Sequence, residues 1–229
     1  MNLAFGCSHT AGSEGNEPWT VLCERAHQVS FLNLGRLGGG LFHVLERARS
    51  FAAEGRAADV RFVVLQKPEF VRFPWFTTSA AFFSSGGVMR ARNDFRALPV
   101  FAQNSLAKDI FKQECAMLDG FVELFPNARF AYWQQWLEHL VATHWVNPVV
   151  TWLDQFEGYA KSKGFESFGT ILDWEPLHER ALVRGPFLSD AWMQLLIEEG
   201  WIISQTNGHT TTKHNALVAQ RVAEWMASR

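Results

Sequence analysis

The sequence predicts an α/β fold built on a mostly parallel sheet, and three observations carry that expectation. Short apolar runs at Leu3–Phe5, Ser30–Leu34, Val60–Leu65 and Ala128–Trp133 alternate with segments whose apolar residues recur at helical spacing. Val60–Leu65 is rich in β-branched and aromatic residues, the composition of a parallel strand covered on both faces. The chain has 229 residues, of which 48% are hydrophobic and 19% charged, enough to bury a substantial core in one domain spanning 1–229.

Each element follows from local pattern. Leu3–Phe5 ends at Gly6, so it reads as a buried strand entering a turn, and Pro18–Ala26 has helical character. Ser30–Leu34 is a second strand, closed by Gly35, Gly38, Gly39 and Gly40. Between Leu41 and Ala53 the apolar positions Leu41, Val44, Leu45, Ala48 and Phe51 lie on one helical face. After Gln66 the pattern breaks. Residues 67–100 carry Pro68, Pro74 and Pro99 among Phe70, Phe73, Trp75, Phe76, Phe82 and Phe83 without a sustained period, and such a segment reads as a functional loop or lid inserted in the domain. Helical spacing returns over Ile110, Met117, Leu118, Phe121 and Val122. Residues 145–200 are mixed, with helices expected at Val149–Lys161 and Asp190–Glu199, and Thr212–Met226 closes the chain as a helix.

Composition narrows the partners. With 21 basic against 23 acidic side chains the formal charge is −2, which leaves no surplus for gripping nucleic acid or an anionic membrane. A small-molecule or carbohydrate partner is expected instead, and oligomeric state is not legible. The ring content, 14% aromatic, excludes a disordered chain. Three cysteines, Cys7, Cys23 and Cys115, are too few for a disulfide framework. The first basic residue is Arg25, and no apolar run approaches the ~18 residues of a membrane helix, so the expectation is a soluble, unprocessed, cytoplasmic protein.

Ligands of open α/β sheets bind outside the carboxyl ends of the strands, so the loops that follow strands come first. Gly6-Cys7-Ser8-His9-Thr10-Ala11-Gly12 follows the first strand. Ser8 has two readings there, an exposed nucleophile or a helix cap. The run Asn33 to Gly40 follows the second strand; its glycines allow a ligand to approach backbone N–H groups, or form a plain turn. It matches no dinucleotide fingerprint, because Leu37 occupies the second glycine position counted from Gly35. Thr206-Asn207-Gly208-His209 precedes the last helix, where His209 is placed as a proton-transfer group should be. The pairs His139/His144 and His209/His214 reproduce no zinc pattern, so neither metal nor cofactor is expected. Cys7 is an alternative thiol nucleophile, although its side chain should project away from that of Ser8.

Taken together, these three blocks resemble the SGNH (GDSL-like) hydrolase family. Gly6 to Gly12 is similar to that family's first block, Asn33 to Gly38 to its glycine-bearing second block, and Asn207-Gly208-His209 before a terminal helix to its last. The resemblance implies a flavodoxin-like three-layer α/β/α fold carrying a serine hydrolase or acyl-transfer site. Ser8 would be the nucleophile, His209 its base, and the N–H groups of Ser8 and Gly38 the oxyanion hole. Three positions depart from the pattern. Cys7 replaces an Asp that is not the attacking group. Leu65-Gln66-Lys67-Pro68 stands where the third block offers an Asn, leaving Gln66 as either a substitute oxyanion donor or a structural partner in the sheet. Asn207 stands where an acid is expected, so the His would be oriented by the Asn carbonyl, by backbone in a Ser-His dyad, or by a distant acid such as Asp173 or Asp190. Phe70, Phe73 and Trp75 would wall the substrate site or else pack a long loop onto the body. The function expected is a serine esterase or acyl-transfer enzyme for a small O-acyl ester; the alternative is a catalytically degenerate relative serving as a binding or structural component.

Overall fold

The computed structural model describes residues 1–12, 16–37, 40–67, 75–76, 82–83, 100–134, 148–172, 180, 194–203 and 209–228. In chain order the elements are β1 (Asn2–Phe5), α1 (Ser8–Ala11), α2 (Trp19–His27), β2 (Leu32–Asn33), α3 (Leu41–Phe51), β3 (Phe62–Lys67), β4 (Trp75–Phe76), β5 (Phe82–Phe83), α4 (Val100–Leu124), β6 (Arg129–Gln134), α5 (Pro148–Ser162), β7 (Phe165–Thr170) and α6 (Thr212–Ala227). Five strands form one parallel sheet in the order β2-β1-β3-β6-β7. β4 and β5 form a separate antiparallel ribbon that pairs Trp75 with Phe83, the described part of the expected irregular segment.

Strand register explains how the two faces divide. Phe5 aligns with Leu65 and Leu65 with Tyr132, so bulky side chains line one face. That face buries them against Val44, Ala48 and Phe51 of α3, Met117, Leu118 and Phe121 of α4, and Phe156 and Ala160 of α5. Phe5 meets the Phe121 ring edge-on at 5.0 Å, a favoured geometry for aromatic pairs. On the other face the aligned residues Ala4, Val64 and Ala131 are small. Bulk there comes from Trp19 and Leu22 of α2, from Val218, Val222 and Trp225 of α6, and from Trp133 further along β6. Much of the aromatic excess is therefore core.

α3, α5 and α6 lie within one or two residues of their expected bounds, and β3 runs through Lys67. α4 starts at Val100, ahead of the apolar period that begins at Ile110. β7 is an additional strand. Phe165-Glu166-Ser167-Phe168-Gly169-Thr170 gives no apolar run and no strict alternation, and it sits at the sheet edge beside β6. No helix among the described residues is long and apolar enough to cross a membrane.

Candidate functional site

β1 ends at Phe5 and the chain turns at once through Gly6 and Cys7 into the single turn of α1, whose first residue is Ser8. The turn closes on Cys7, whose carbonyl accepts from the N–H groups of Thr10 and Ala11 at 3.0 and 2.9 Å. Packing dictates its sequence. A Cβ on Gly6 would stand 2.4 Å from Thr10 Oγ1 and 2.6 Å from Gln66 Oε1, so a side chain there would collide with the groups that anchor the turn. Gly35 is bare for the same reason: its Cβ would meet the Ala11 backbone N at 2.5 Å. The glycine loop thus lies directly on α1. It is held there by Arg36 N–H donating to Gly6 O at 3.0 Å and by Asn33, whose amide donates to Thr10 O and whose Oδ1 accepts from Gly35 N–H at 3.0 Å.

Gln66 is wholly buried. Its Oε1 accepts from Cys7 N–H at 3.0 Å and from the Thr10 hydroxyl at 3.0 Å, while its Nε2 donates to Cys7 Sγ at 3.0 Å. Trp19 Nε1 donates to the same Thr10 oxygen at 3.4 Å. These contacts are those of a structural partner: a side chain with no exposure, occupied with the turn, does not reach a substrate oxyanion. Cys7 is equally buried and bonded, which corrects the alternative of a thiol nucleophile.

The other half of the site arrives from the far end of the chain. His209 and Thr210 form the last extended stretch before α6: Thr210 bridges to Ile202, and His209 O accepts from Ile203 N–H at 2.8 Å. Thr211 caps α6, its Oγ1 accepting from His214 N–H and donating to Gly200 O at 2.6 Å. Here the two halves meet. His9, the residue after Ser8, bonds through Nδ1 to Oγ1 of Thr210, the residue after His209, at 3.1 Å, and the His9 and His209 rings touch edge to face at 5.7 Å. Proton counting fixes the direction of this bond. Asn215 Nδ2 donates to Glu17 O at 2.7 Å, so its Oδ1 is the atom that takes the Thr210 hydroxyl proton at 3.1 Å. Thr210 Oγ1 has one proton, so it accepts from His9, whose Nδ1 carries a proton. Asn16 Nδ2 donates to Thr210 O, and Glu17 N–H to Thr212 Oγ1 at 3.4 Å, so the connection into α2 is sewn to the same segment. His9, Thr210 and Asn215 are all buried.

Of the expected site residues, the structure brings the Ser8 turn, Gln66 and His209 to the carboxyl end of β1 and β3. Gly38, Phe70, Phe73 and Asn207, with the distant acids Asp173 and Asp190, lie outside the described residues; Trp75 lies in β4. Sequence reasoning missed His9, Thr210 and Asn215. The one available signal was the imidazole directly after the candidate nucleophile.

Nearby, on the opposite face of β3, Lys67 is fully buried with its Nζ 3.0 Å from Glu114 Oε1 and 4.9 Å above the Phe156 ring. Burial pushes the Glu114 carboxyl up from the usual range, and the Lys67 ammonium opposes that shift. His214, buried against Trp133, is driven down to about 4 by desolvation. Among the described residues no group of acidic, histidine and cysteine side chains is arranged to hold a metal ion.

Solved structures share this architecture at low sequence identity. A member of the lipolytic protein G-D-S-L family from Veillonella parvula DSM 2008 superposes with a TM-score of 0.53 at 14% identity, covering 100% of this chain and 98% of its own. An acetyl xylan esterase from the rumen bacterium Butyrivibrio proteoclasticus gives 0.53 at 9% identity over 98% of this chain and 63% of that one. A carbohydrate esterase whose active site displays divergent catalytic and non-catalytic binding functions gives 0.50 at 9% identity, over 100% and 68%. No family model and no curated protein matches the sequence. The chain therefore has the three-layer α/β/α fold of the GDSL-like, or SGNH, hydrolases.

Proposed function

We propose that the chain is an SGNH-type serine esterase or acyl-transfer enzyme acting on a small O-acyl ester, with an O-acetylated carbohydrate as the favoured substrate class. His209 takes the Ser8 proton as Oγ attacks the acyl carbon, and returns it to the departing alcohol oxygen. Water, or a second alcohol, then releases the acyl group from Ser8 by the same proton transfers in reverse. The N–H groups of Ser8 and Gly38 receive the oxyanion. One observation carries the reading: the neighbour of Ser8 and the neighbour of His209 are bonded to each other, His9 Nδ1 to Thr210 Oγ1, at 3.1 Å. A polar contact between residues so distant in sequence draws the turn and the base segment together at the strand ends where this fold binds ligands. Gln66 contributes by holding the turn that presents Ser8, and the orientation of His209 falls to Asn207 or to backbone.

The test is turnover of p-nitrophenyl acetate by the parent, Ser8→Ala and His209→Ala. The reading expects both variants to fall to the uncatalysed background, and equal rates in all three would end it for short-chain esters. Asn207→Asp separates the ways of orienting the base. Since an Asp-to-Asn exchange in a serine protease costs about 10⁴-fold, a large gain would mean that Asn207 limits the site, and no change a dyad or a distant acid. A second reading, a catalytically degenerate binding component, is favoured by the occupied Gln66 amide in a chain with no Asn in its third block. It predicts ester binding without turnover.

A further inference from the structure

We propose that a cleft beside the glycine loop is a subsite for an anionic sugar, so that the acyl ester handled at Ser8 is carried by an acidic saccharide. The placement of this subsite in catalysis rests on the esterase reading; its capacity to bind an anion does not.

The cleft has a volume of about 420 Å³ and is lined by Arg36, Phe42, His43, Glu46, Arg47 and Arg49. Arg36 belongs to the glycine loop, and its N–H bonds to Gly6 O, two residues before Ser8, so the cleft begins where the proposed site ends. The others share one broad face of α3 at spacings of three and four. Three guanidinium groups therefore face one carboxylate, in a chain whose formal charge is −2. Elsewhere Arg25 is paired with Glu17 at 2.7 Å, Arg56 with Glu54 at 3.3 Å and Lys163 with Asp119 at 2.7 Å, while the exposed Arg61, Lys108, Lys161 and Arg221 are scattered singly over the sequence. Among the described residues, no side chain forms an ion pair or hydrogen bond with the guanidinium groups of Arg36, Arg47 or Arg49. Three like charges gathered around a single counter-charge repel modestly in solvent, and a bound anion relieves that repulsion. Arginine suits that role, because its planar fork binds a carboxylate through two parallel hydrogen bonds.

Two further features point to a sugar acid over a bare ion. Phe42 is 39% exposed and Leu37, in the adjoining loop, 63%, which leaves apolar surface among the arginines for the C–H face of a pyranose. His43, whose ring meets Phe42 edge-on at 6.0 Å, is held below its ordinary pKa by burial first and by Arg36 second, against the pull of Glu46. Its Nδ1 accepts from Gly40 N–H at 3.4 Å, fixing the start of α3 beside the cleft.

The experiment is calorimetric titration with tetragalacturonate, with xylotetraose as the neutral arm and inorganic phosphate as the anion without a sugar. The parent is expected to bind tetragalacturonate at least tenfold tighter than either, and to lose affinity as salt rises. Arg47→Ala/Arg49→Ala should weaken binding about fivefold or more, since each exposed charge pair contributes modestly. Phe42→Ala should weaken it too while leaving the charges in place. Far-UV circular dichroism and urea midpoints report whether each variant is folded. Equal affinity for xylotetraose, unchanged affinity in the double variant, or no binding of tetragalacturonate would overturn the proposal, and phosphate binding as tightly would remove its sugar. Failure of the esterase reading looks different: arginine-dependent tetragalacturonate binding without Ser8-dependent ester cleavage sinks that reading and leaves the subsite standing.

Discussion

Between α3, α4, α5 and the sheet, a full ion pair, Lys67 and Glu114, is enclosed by rings such as Phe156. Between the sheet, α2 and α6, the buried Gln66 and Thr10 bond to each other, as do His9 with Thr210 and Thr210 with Asn215. The contrast follows from what each set does. A charge pair in low dielectric is held by mutual attraction that offsets a large desolvation cost, so each partner is indispensable to the other while the pair as a whole adds little stability. A network of hydrogen bonds has a smaller cost to offset, and its bonds are directional, so it is suited to fixing where the Ser8 turn and the His209 segment lie relative to each other. The site is built on the second kind of burial.

The hardest blow to this contrast is delivered at the ion pair. Lys67→Met should destabilise the fold by about 3–5 kcal/mol in urea unfolding by stranding Glu114, whereas Lys67→Met/Glu114→Leu should come within about 1 kcal/mol of the parent or exceed it. A single variant as stable as the parent would mean that the pair is not desolvated. Next comes pH. His214 has its folded pKa lowered to about 4 from the ordinary 6.5 of imidazole, so in that window the unfolded chain binds a proton that the folded chain refuses. Stability on this account is fully present above pH 6.5 and is lost as pH falls towards 4, by about 3 kcal/mol in all. His214→Phe, which keeps a ring against Trp133, should flatten that slope in urea titrations at stepped pH. Gln66→Leu should cost about 2 kcal/mol, because the isostere leaves Cys7 N–H and the Thr10 hydroxyl buried without their acceptor. The smallest effect on stability and the sharpest on function is expected from His9→Phe. It removes one hydrogen bond, about 1 kcal/mol, yet on the proposed esterase reading should lower kcat for p-nitrophenyl acetate with little change in KM, because only the register of the Ser8 turn and the His209 segment is disturbed.

The sheet was legible because its inner strands are covered on both sides and so must be apolar over their length: Val60–Leu65 announces β3 without any neighbour. β7 was not, because an edge strand with Glu166 partly in solvent has no need of such a run. The glycines of the first two blocks were legible as glycines, but their cause is close approach: Gly6 yields to Thr10 and Gln66, Gly35 to Ala11. Lys67, placed before Pro68 at the end of a strand, reads as the first residue of a solvated loop; only Glu114, one helix later, makes its burial tolerable. The clamp between His9 and Thr210 escaped for a more general reason. Neither residue lies in a local pattern that names its partner, and pairing across the whole chain is a property of the fold.

That clamp joins residues 201 positions apart. Chains are synthesised from the amino terminus, and β1, α1, β2 and β3 can pair while most of the sequence is still to come. The Ser8 turn can therefore form long before the segment that carries His209 exists. Closing so long a loop is slow, and its reward is withheld until Thr210 and Asn215 have been added and α6 has docked against α2. A nascent or truncated chain that stops short of Thr210 and Asn215 carries the turn at Ser8 without the segment that packs against it.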